Sequence, residues 1–267
     1  MIAVTKAHAY GNDFLLAPLP DAAVDRSALA RVMCHRHHGI GADGLILYAL
    51  RSHGATMTLL NADGSRSELS GNGLRCLAAL VARAERLSPG STVRVETDAG
   101  VRVLDLLAYD GGRYTFRAAM GQPTDVREVT IPVLGQTVTA SVLGMGNPQC
   151  VVLGPLPDAD RFNRFGPALS THPMFPAGTN VEFAHVEAPD RVRILIWERG
   201  VGPTTSSGTG SSASAVAAAT HGGAARVVDV VAPGGSQHVE WREEGVYLTG
   251  WAEVVLEGQW TGPEASR

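Results

Sequence analysis

Two serine- and glycine-rich turns carry the residues whose types and spacing best suit chemistry. The first is Leu69-Ser70-Gly71-Asn72-Gly73, and the second is Thr-Thr-Ser-Ser-Gly-Thr-Gly-Ser-Ser at positions 204–212. Each follows an apolar run and opens a segment with the pattern of a helix. The first backbone N–H groups of a helix lack partners within the helix, so such a turn is suited to bind an anion. The pattern predicts two anion-binding helix starts.

The two turns occupy matching points of a repeated unit. Asn61 precedes Ser70 by 70 − 61 = 9 positions, and Glu198 precedes Ser207 by 207 − 198 = 9 positions. Two upstream turns also correspond, Gly11-Asn12-Asp13 and Gly146-Asn147-Pro148. A repeat of this length predicts a duplicated domain rather than a solenoid, whose repeats are shorter.

Asparagine side chains recur in the turns of both halves: Asn12, Asn61 and Asn72 in the first, and Asn147 and Asn180 in the second. One interpretation is that they form turns, as asparagine commonly does. The other is that their amides bind the ammonium and carboxylate groups of a zwitterion. Glu198-Arg199 likewise fits either an exposed ion pair or a contact to an amino-acid head group. The residues alone leave both alternatives open.

Composition limits the partners. The chain has 267 residues, 45% hydrophobic and 18% charged, with a net charge of −4. This balance is typical of a globular protein and gives no reason to expect nucleic acid or an anionic membrane as partner. No run approaches the roughly 20 apolar residues of a membrane span.

The amino-terminal residues and the cysteines indicate a compartment. Residues 1–6 have no apolar core, so we expect no signal peptide. Cys34, Cys76 and Cys150 are odd in number and lack CxxC spacing, which indicates neither a disulfide framework nor a zinc site. We therefore expect a reducing cytoplasm and no metal.

Several familiar motifs fail on context. Residues 39–44 form a literal GxGxxG, but a helix pattern precedes it and a strand pattern follows, the reverse of a dinucleotide site. Residues 202–211 lack the GKS/T ending of a phosphate loop. Neither Ser70 nor Ser207 lies in GxSxG, so a hydrolase elbow is not supported. His35, His37 and His38 are better read as a solvated helix end than as a metal site.

Periodicity gives a coarse map of the elements. We expect a helix over Ser27–His37 capped by Ser27, and a loop rich in proline and phenylalanine over Arg161–Pro176. We also expect a helix after each of the two serine- and glycine-rich turns. The first has Leu74, Leu77 and Val81 on one face, and the second is alanine-rich over Ser211–Thr220. Strands are predicted at residues 4–17, interrupted near 10–13, and at 45–50, 57–60, 92–107, 113–118, 129–133, 138–143, 151–153, 179–186, 192–197, 226–231 and 239–255.

The predicted domains are residues 1–121 and 122–257, followed by a tail over 258–267. The last strand could also pack back on the first half.

The motifs closely resemble those of the diaminopimelate epimerase family, the cofactor-independent amino-acid epimerases of lysine and peptidoglycan precursor synthesis. The resemblance covers nearly the whole chain. Its blocks are Lys6–Phe14, His38–Gly44, Asn61–Ser65, Ser70–Cys76, Gly146–Cys150, Gly178–Phe183, Trp197–Gly202 and Ser207–Gly210.

The resemblance implies a mixed α/β (α+β) fold of two pseudo-symmetric domains, each a β-sheet wrapped around a central helix, with substrate between the two helix starts. It implies no cofactor, a small amino-acid substrate and a homodimer. By position, the catalytic pair would be Ser70 and Ser207. The implied substrate-binding residues are Asn12, Asn61, Gly71, Asn72, Asn147, Asn180, Glu198, Arg199, Gly208 and Thr209.

Three positions depart from the family pattern. The family has a cysteine pair, as thiolate base and thiol acid, where this chain has Ser70 and Ser207. Gln149 stands where a supporting histidine is usual, and Leu256 where a tyrosine is often found near the dimer contact. Serine is a far weaker acid than cysteine, so a slow reaction is expected.

Three explanations of the serine pair remain open. The chain could be an engineered double cysteine-to-serine variant, a natural paralogue with altered amino-acid chemistry, or a protein that binds an amino acid without turnover. The additional Ser206, Ser211 and Ser212 favour natural drift. A pyridoxal-dependent racemase would have to use Lys6, the single lysine, which lacks a surrounding cofactor motif.

Overall fold

A computed structural model describes residues 1–67 and 70–262. Leu69, part of the first predicted turn, lies outside the described residues, as do residues 263–267 of the predicted tail. The described chain forms two compact units, one of residues 1–118 together with the stretch from 250 onward, the other of residues 119–249. The boundary follows Ala118 rather than residue 121, and the chain returns to the first unit at Gly250.

In the described part of the first half of the chain, the structure has two helices and a series of paired strands. The helices are α1 (Arg26–Cys34) and α2 (Gly71–Glu85). The strands are β1 (Ile2–Ala9), β2 (Asn12–Pro18), β3 (Gly44–Arg51), β4 (Gly54–Asn61), β5 (Arg66–Ser67), β6 (Thr92–Thr97), β7 (Gly100–Asp110) and β8 (Arg113–Gly121).

The second half repeats this content. Its helices are α3 (Ala159–Ser170) and α4 (Gly208–His221). Its strands are β9 (Thr124–Val133), β10 (Gln136–Gly144), β11 (Pro148–Leu153), β12 (Asn180–Ala188), β13 (Arg191–Glu198), β14 (Gly202–Thr204), β15 (Val227–Ala232), β16 (Gly235–Arg242) and β17 (Gly245–Trp260).

Strand pairing confirms the duplication. In the first half β1 and β2 pair antiparallel, β2 and β3 parallel, β3 and β4 antiparallel, and β4 and β6 parallel. In the second half β10 and β11, β11 and β12, β12 and β13, and β13 and β15 follow the same sequence of directions. Along the chain, a helix lies between the two strands of each parallel pair. These helices are α1 and α2 in one half and α3 and α4 in the other.

Each sheet wraps around its second helix. Strands β1, β2, β3, β4 and β6 all contact α2, and strands β10, β11, β12, β13, β15 and β16 contact α4. Both helices are consequently buried on every side, α2 from Asn72 to Ala82. This corrects the prediction of a single apolar face through Leu74, Leu77 and Val81. The small residues of α4 suit such a site, because alanine and glycine let strands approach closely on all sides.

Three further predictions are wrong. The first helix is capped by Asp25, whose side chain accepts from the N–H of Ala28, and it ends at Cys34 rather than His37. Residues 161–170, predicted as loop, belong to α3, which Asp158 caps in the same way. Residues 258–260, assigned to the tail, complete β17 and pair with residues 2–4 of β1.

The fold class is confirmed, and strands lie in all the remaining predicted ranges. Residues 98–99 divide the range 92–107 between β6 and β7, and residues 243–244 divide the range 239–255 between β16 and β17. Among the described residues, the helices include none of the length and apolar character needed to cross a membrane.

Candidate functional site

Ser70 and Ser207 begin the two central helices with the same local geometry. Both have an extended backbone, with φ −133° and ψ 123° at Ser70 and φ −141° and ψ 127° at Ser207. The N–H of Gly73 donates to Ser70 Oγ at 3.1 Å, and the N–H of Gly210 donates to Ser207 Oγ at 3.1 Å. Each serine is therefore a helix N-cap, and the two predicted helix starts have matching structures.

The surroundings of the two serines differ in exposure. Ser70 and Gly71 are half-buried, whereas Ser207 is 4% exposed and Gly208 is buried. Thr209 Oγ1 lies 3.4 Å from Ser207 Oγ. The predicted residues Gly71, Gly208 and Thr209 thus occupy the first turns of α2 and α4, and the N–H groups of a helix's first turn favour an anion.

In the first unit the structure brings Asn12 and Asn72 together. Asn72 Nδ2 donates to Asn12 Oδ1 at 3.1 Å, and Asn12 Nδ2 donates to Asp43 Oδ2 at 2.8 Å. Arg75, one helical turn beyond Asn72, donates through Nη2 to Asn72 Oδ1. These four side chains form one continuous chain of hydrogen bonds.

Asn61 has the turn geometry that was one of its two interpretations. Its Nδ2 donates to Ser65 Oγ at 2.9 Å, and its backbone N–H donates to the carbonyl of Ser65 at 2.8 Å. The next residue, Ala62, donates to the carbonyl of Asp43 at 3.0 Å. Asn61 is therefore at the loop that contains Asp43, and its half-buried side chain remains a candidate for ligand contact.

In the second unit, the asparagine side chains form hydrogen bonds with other types of partner than in the first unit. The backbone N–H of Arg199 donates to Asn180 Oδ1 at 2.9 Å, and Arg199 Nη1 donates to the carbonyl of Ala177 at 2.9 Å. Buried Gln149 donates through Nε2 to Asn147 Oδ1 and stands opposite Asn180 in the sheet. The predicted residues Asn147, Gln149, Asn180 and Arg199 therefore lie at one end of β11 and β12.

Sequence reasoning did not select Glu182, which is fully buried on β12. Burial, followed by the charge of half-buried Glu198, raises the pKa of the Glu182 carboxyl well above its usual value. A Cβ added at Gly210 would lie 2.5 Å from Glu182 Oε1, so this carboxyl lies against the first turn of α4. The available signal was an acidic residue within the apolar strand sequence Asn-Val-Glu-Phe-Ala.

Arg75 and Asp43 were also not selected. Arg75 is 1% exposed in the interior of α2, between Leu74 and Cys76. An arginine at a fully buried helix position was the available signal, because charged side chains are rarely buried without a role for their charge.

The described residues include no group of three or more His, Cys, Asp or Glu side chains arranged to hold a metal. His35, His37 and His38 are exposed directly after α1. The GxGxxG segment lies between the end of α1 and the start of β3, in the order opposite to a dinucleotide site.

Comparison with known proteins decides the family. The family model described as diaminopimelate epimerase matches residues 4–126 and 141–255. The chain belongs to the diaminopimelate epimerase family.

Relatives and solved structures agree with this membership. The chain is 43% identical to the diaminopimelate epimerase of Desulforudis audaxviator, covering 96% of this chain and 98% of the relative. It is 39% identical to that of Desulfitobacterium hafniense, covering 96% of each. A probable proline racemase from Agrobacterium radiobacter K84 shares the fold, with a TM-score of 0.74 and 18% identity over 98% of this chain and 93% of that one.

The three cysteines of this family member do not take the place of the cysteine pair that the family pattern has at the two helix starts. Burial raises the pKa of the Cys34, Cys76 and Cys150 thiols to about 12. A thiol that stays protonated near neutral pH is neither a base nor a nucleophile. The side chains that cap the two helix starts of this diaminopimelate epimerase family member are the Ser70 and Ser207 hydroxyls.

Proposed function

We propose that this chain is an amino-acid epimerase that interconverts LL- and meso-diaminopimelate by two-base transfer of the α-proton. Family membership over nearly the whole chain carries this proposal. The two capped helix starts support it, because each offers a hydroxyl next to N–H groups that stabilise a carboxylate as carbanion character develops.

In this proposal Ser70 and Ser207 exchange the proton on opposite faces of the α-carbon. The first-turn groups of Gly71, Gly208 and Thr209 bind carboxylate oxygens. The amides of Asn12, Asn61, Asn72, Asn147 and Asn180, together with Glu198 and Arg199, hold the remaining charged groups of the substrate. Because a serine hydroxyl is a weak acid and Gln149 does not titrate, the exchange is slow.

The reaction needs no pyridoxal group in this proposal. An aldimine requires a lysine amine, and the single lysine of the sequence is Lys6. Its Nζ donates to the carbonyl of Gly41 at 2.7 Å and pairs with Asp13 at 2.9 Å. Lys6 therefore has a structural role in the loop that follows α1.

The proposal extends to assembly and location. A homodimer is the assembly that the family resemblance implies, and the cytoplasm is the compartment that three cysteines without CxxC spacing favour. Val255 and Leu256 are half-exposed neighbours on β17, and Leu256 occupies the position at which the family often has a tyrosine. Sedimentation velocity at micromolar concentration tests the dimer, since a single species of about 28 kDa would contradict it.

A second function, binding of diaminopimelate without turnover, is supported by the capping role of both hydroxyls and by Gln149. Incubation with LL- or meso-diaminopimelate in heavy water distinguishes the two functions. Deuterium entering the α-carbon supports epimerisation, while calorimetric binding without deuterium entry supports the second function. If no free amino acid binds at millimolar concentration, both proposals are wrong.

A further inference from the structure

The hydrogen-bond chain in the first unit has a direction. A guanidinium has only donors, so Arg75 can bind only the oxygen of the Asn72 amide. An ionised carboxylate has only acceptors, so Asp43 can bind only the nitrogen of the Asn12 amide. Between these ends, Asn72 Nδ2 donates to Asn12 Oδ1.

This arrangement removes the ambiguity of both amides. An asparagine amide can turn by 180° and exchange its oxygen for its nitrogen, and in most settings either orientation finds partners. Here a turned Asn72 would place N–H groups against the guanidinium, and a turned Asn12 would place its oxygen against the carboxylate. Each end of the chain therefore fixes the orientation of both amides.

The ends are themselves held in place. Arg75 is enclosed in the first unit, with the Tyr10 ring centre 5.9 Å from its guanidinium carbon. A Cβ added at Gly250 would lie 3.3 Å from the same carbon, so the backbone of Gly250 packs closely against the guanidinium. At the other end, Arg36 donates to Asp43 Oδ1 at 2.7 Å and to Asp13 Oδ1 at 2.9 Å.

We propose that Arg75 and Asp43 are positioning residues that fix which atoms of Asn72 and Asn12 face an amino-acid ligand. Hydrogen bonds in a chain polarise one another, so the positive end at Arg75 and the negative end at Asp43 also strengthen the bond between the two amides. This inference rests on the proposed function in one respect, that Asn12 and Asn72 contact the bound amino acid.

The variant Arg75→Met tests the buried end, since methionine fills an irregular space with a flexible apolar chain. Arg83→Met is the matched control, because Arg83 is on the same helix but pairs with Glu257 at an exposed site. Side-chain amide resonances of Asn12 and Asn72, assigned through Asn12→Asp and Asn72→Asp, report the chain without any ligand. We expect Arg75→Met to shift both resonances and Arg83→Met to shift neither.

The decisive signal is Asn12, which the chain connects to Arg75 only through Asn72. A shift of Asn72 with an unchanged Asn12 resonance would overturn the proposal, because it would show a local contact rather than a coupled chain. If Arg75→Met does not fold, Asp43→Asn makes the same test from the partly exposed end, and an unchanged Asn72 resonance then overturns it.

Calorimetry with meso-diaminopimelate tests the consequence for binding. Loss of a hydrogen bond to a charged group predicts a dissociation constant roughly 10- to 100-fold higher for Arg75→Met. Arg83→Met should remain within about 2-fold, as expected for an exposed pair, and Arg75→Lys, which keeps a cationic donor, should recover part of the affinity. A folded Arg75→Met with unchanged affinity refutes the positioning role. Absence of binding by the unmodified protein refutes the proposed function instead, while the resonances still decide the coupling of the chain.

Discussion

A serine and a cysteine at a helix start have nearly the same shape, but serine is the better helix cap and cysteine is the stronger acid. Serine is among the best N-cap residues, since its hydroxyl accepts strongly from the N–H three positions later. Cysteine is a poorer cap but has a pKa that a helix start lowers toward neutrality. Ser70 and Ser207 therefore stabilise α2 and α4 at the expense of acid–base strength.

The double variant Ser70→Cys with Ser207→Cys should give partial but measurable epimerisation of diaminopimelate. The helix start at which each thiol lies would lower its pKa. The backbone at both positions already has the geometry of a helix N-cap. Because Gln149 replaces the supporting histidine, we expect a rate about 10²–10⁴-fold below that of a family member with the full set. Deuterium entry at the α-carbon measures the rate.

The single variants are the controls for this prediction. A two-base mechanism needs a donor and an acceptor, so the two groups act as a unit and either cysteine alone should give little activity. A folded double variant that binds diaminopimelate without exchange would show that this chain diverged beyond the two serines.

Glu182 should make stability depend on pH. Its folded pKa is raised, so its contribution is fully present below the unfolded value of 4.5 and is lost as pH rises toward the folded value. The loss reaches up to about 1.4 kcal/mol per pH unit within that window. Glu182→Gln should remove this dependence, and its thermal midpoint should exceed that of the unmodified protein by an increasing margin from pH 5 to pH 8.

Glu187→Gln is the matched control on the same strand. Its exposed carboxyl has a lowered pKa because Arg193 donates to it, so it titrates below this pH range. Parallel melting curves for Glu182→Gln and the unmodified protein across pH 5 to 8 would contradict an elevated pKa at Glu182.

The positions of candidate residues were predictable from sequence where a side chain lies in a turn, as with Ser70, Asn72 and Ser207 at the helix starts. Glu182 and Arg75 were not predictable, because each lies inside an apolar element and its significance depends on partners distant in sequence. Arg75 meets Tyr10 and Gly250 through the fold alone.

At the scale of single elements, the first turns of α2 and α4 differ at equivalent glycines. A Cβ at Gly73 would meet only side-chain atoms at 3.2–3.3 Å, including the flexible end of Met57. A Cβ at Gly210 would meet the buried Glu182 carboxyl at 2.5 Å. Helix propensity favours alanine over glycine by about 1 kcal/mol at both positions, so the surroundings decide the outcome.

We therefore expect Gly73→Ala to change the free energy of unfolding by less than about 1 kcal/mol, and Gly210→Ala to lower it by roughly 1–3 kcal/mol. Urea unfolding of the two variants measures the difference. Equal effects at the two glycines would show that the Glu182 carboxyl moves away without cost.

The elements themselves were largely predictable, and α3 shows why one was missed. Pro167 and several phenylalanines favoured a loop, although Phe162, Phe165 and Leu169 have helical spacing and Asp158 provides a cap. The repeat of the first half in the second would have predicted this helix. A helix between β2 and β3 in the first half implies a helix between β11 and β12 in the second, because a parallel pair needs a long crossover.

At the scale of the whole molecule, the first unit is assembled from two separate stretches of chain. Residues 253–260 of β17 pair with β1, and Ala252 is fully buried. A fragment of residues 1–118 should therefore fail to unfold cooperatively, since β1 would keep β2 but lose β17, the second of its two partner strands. The same fragment joined through a flexible linker to residues 250–262 should recover a cooperative transition, measured by circular dichroism during heating.

The matched control joins a scrambled version of residues 250–262 through the same linker. Cooperative melting of residues 1–118 alone, at the temperature of the joined fragment, would show that β17 contributes nothing essential to the first unit.

The return of β17 also orders events during synthesis on the ribosome. Residues 119–249 form a contiguous unit, and the part of the first unit from Gly250 onward is made after them. The amino-terminal unit, although begun first, lacks β17, one of the two partner strands of β1, until residues 253–260 have been made. Domains generally fold as units, and the second unit has its full set of residues before the first unit does. The nascent protein therefore carries an unfinished sheet edge while the whole second unit is being made.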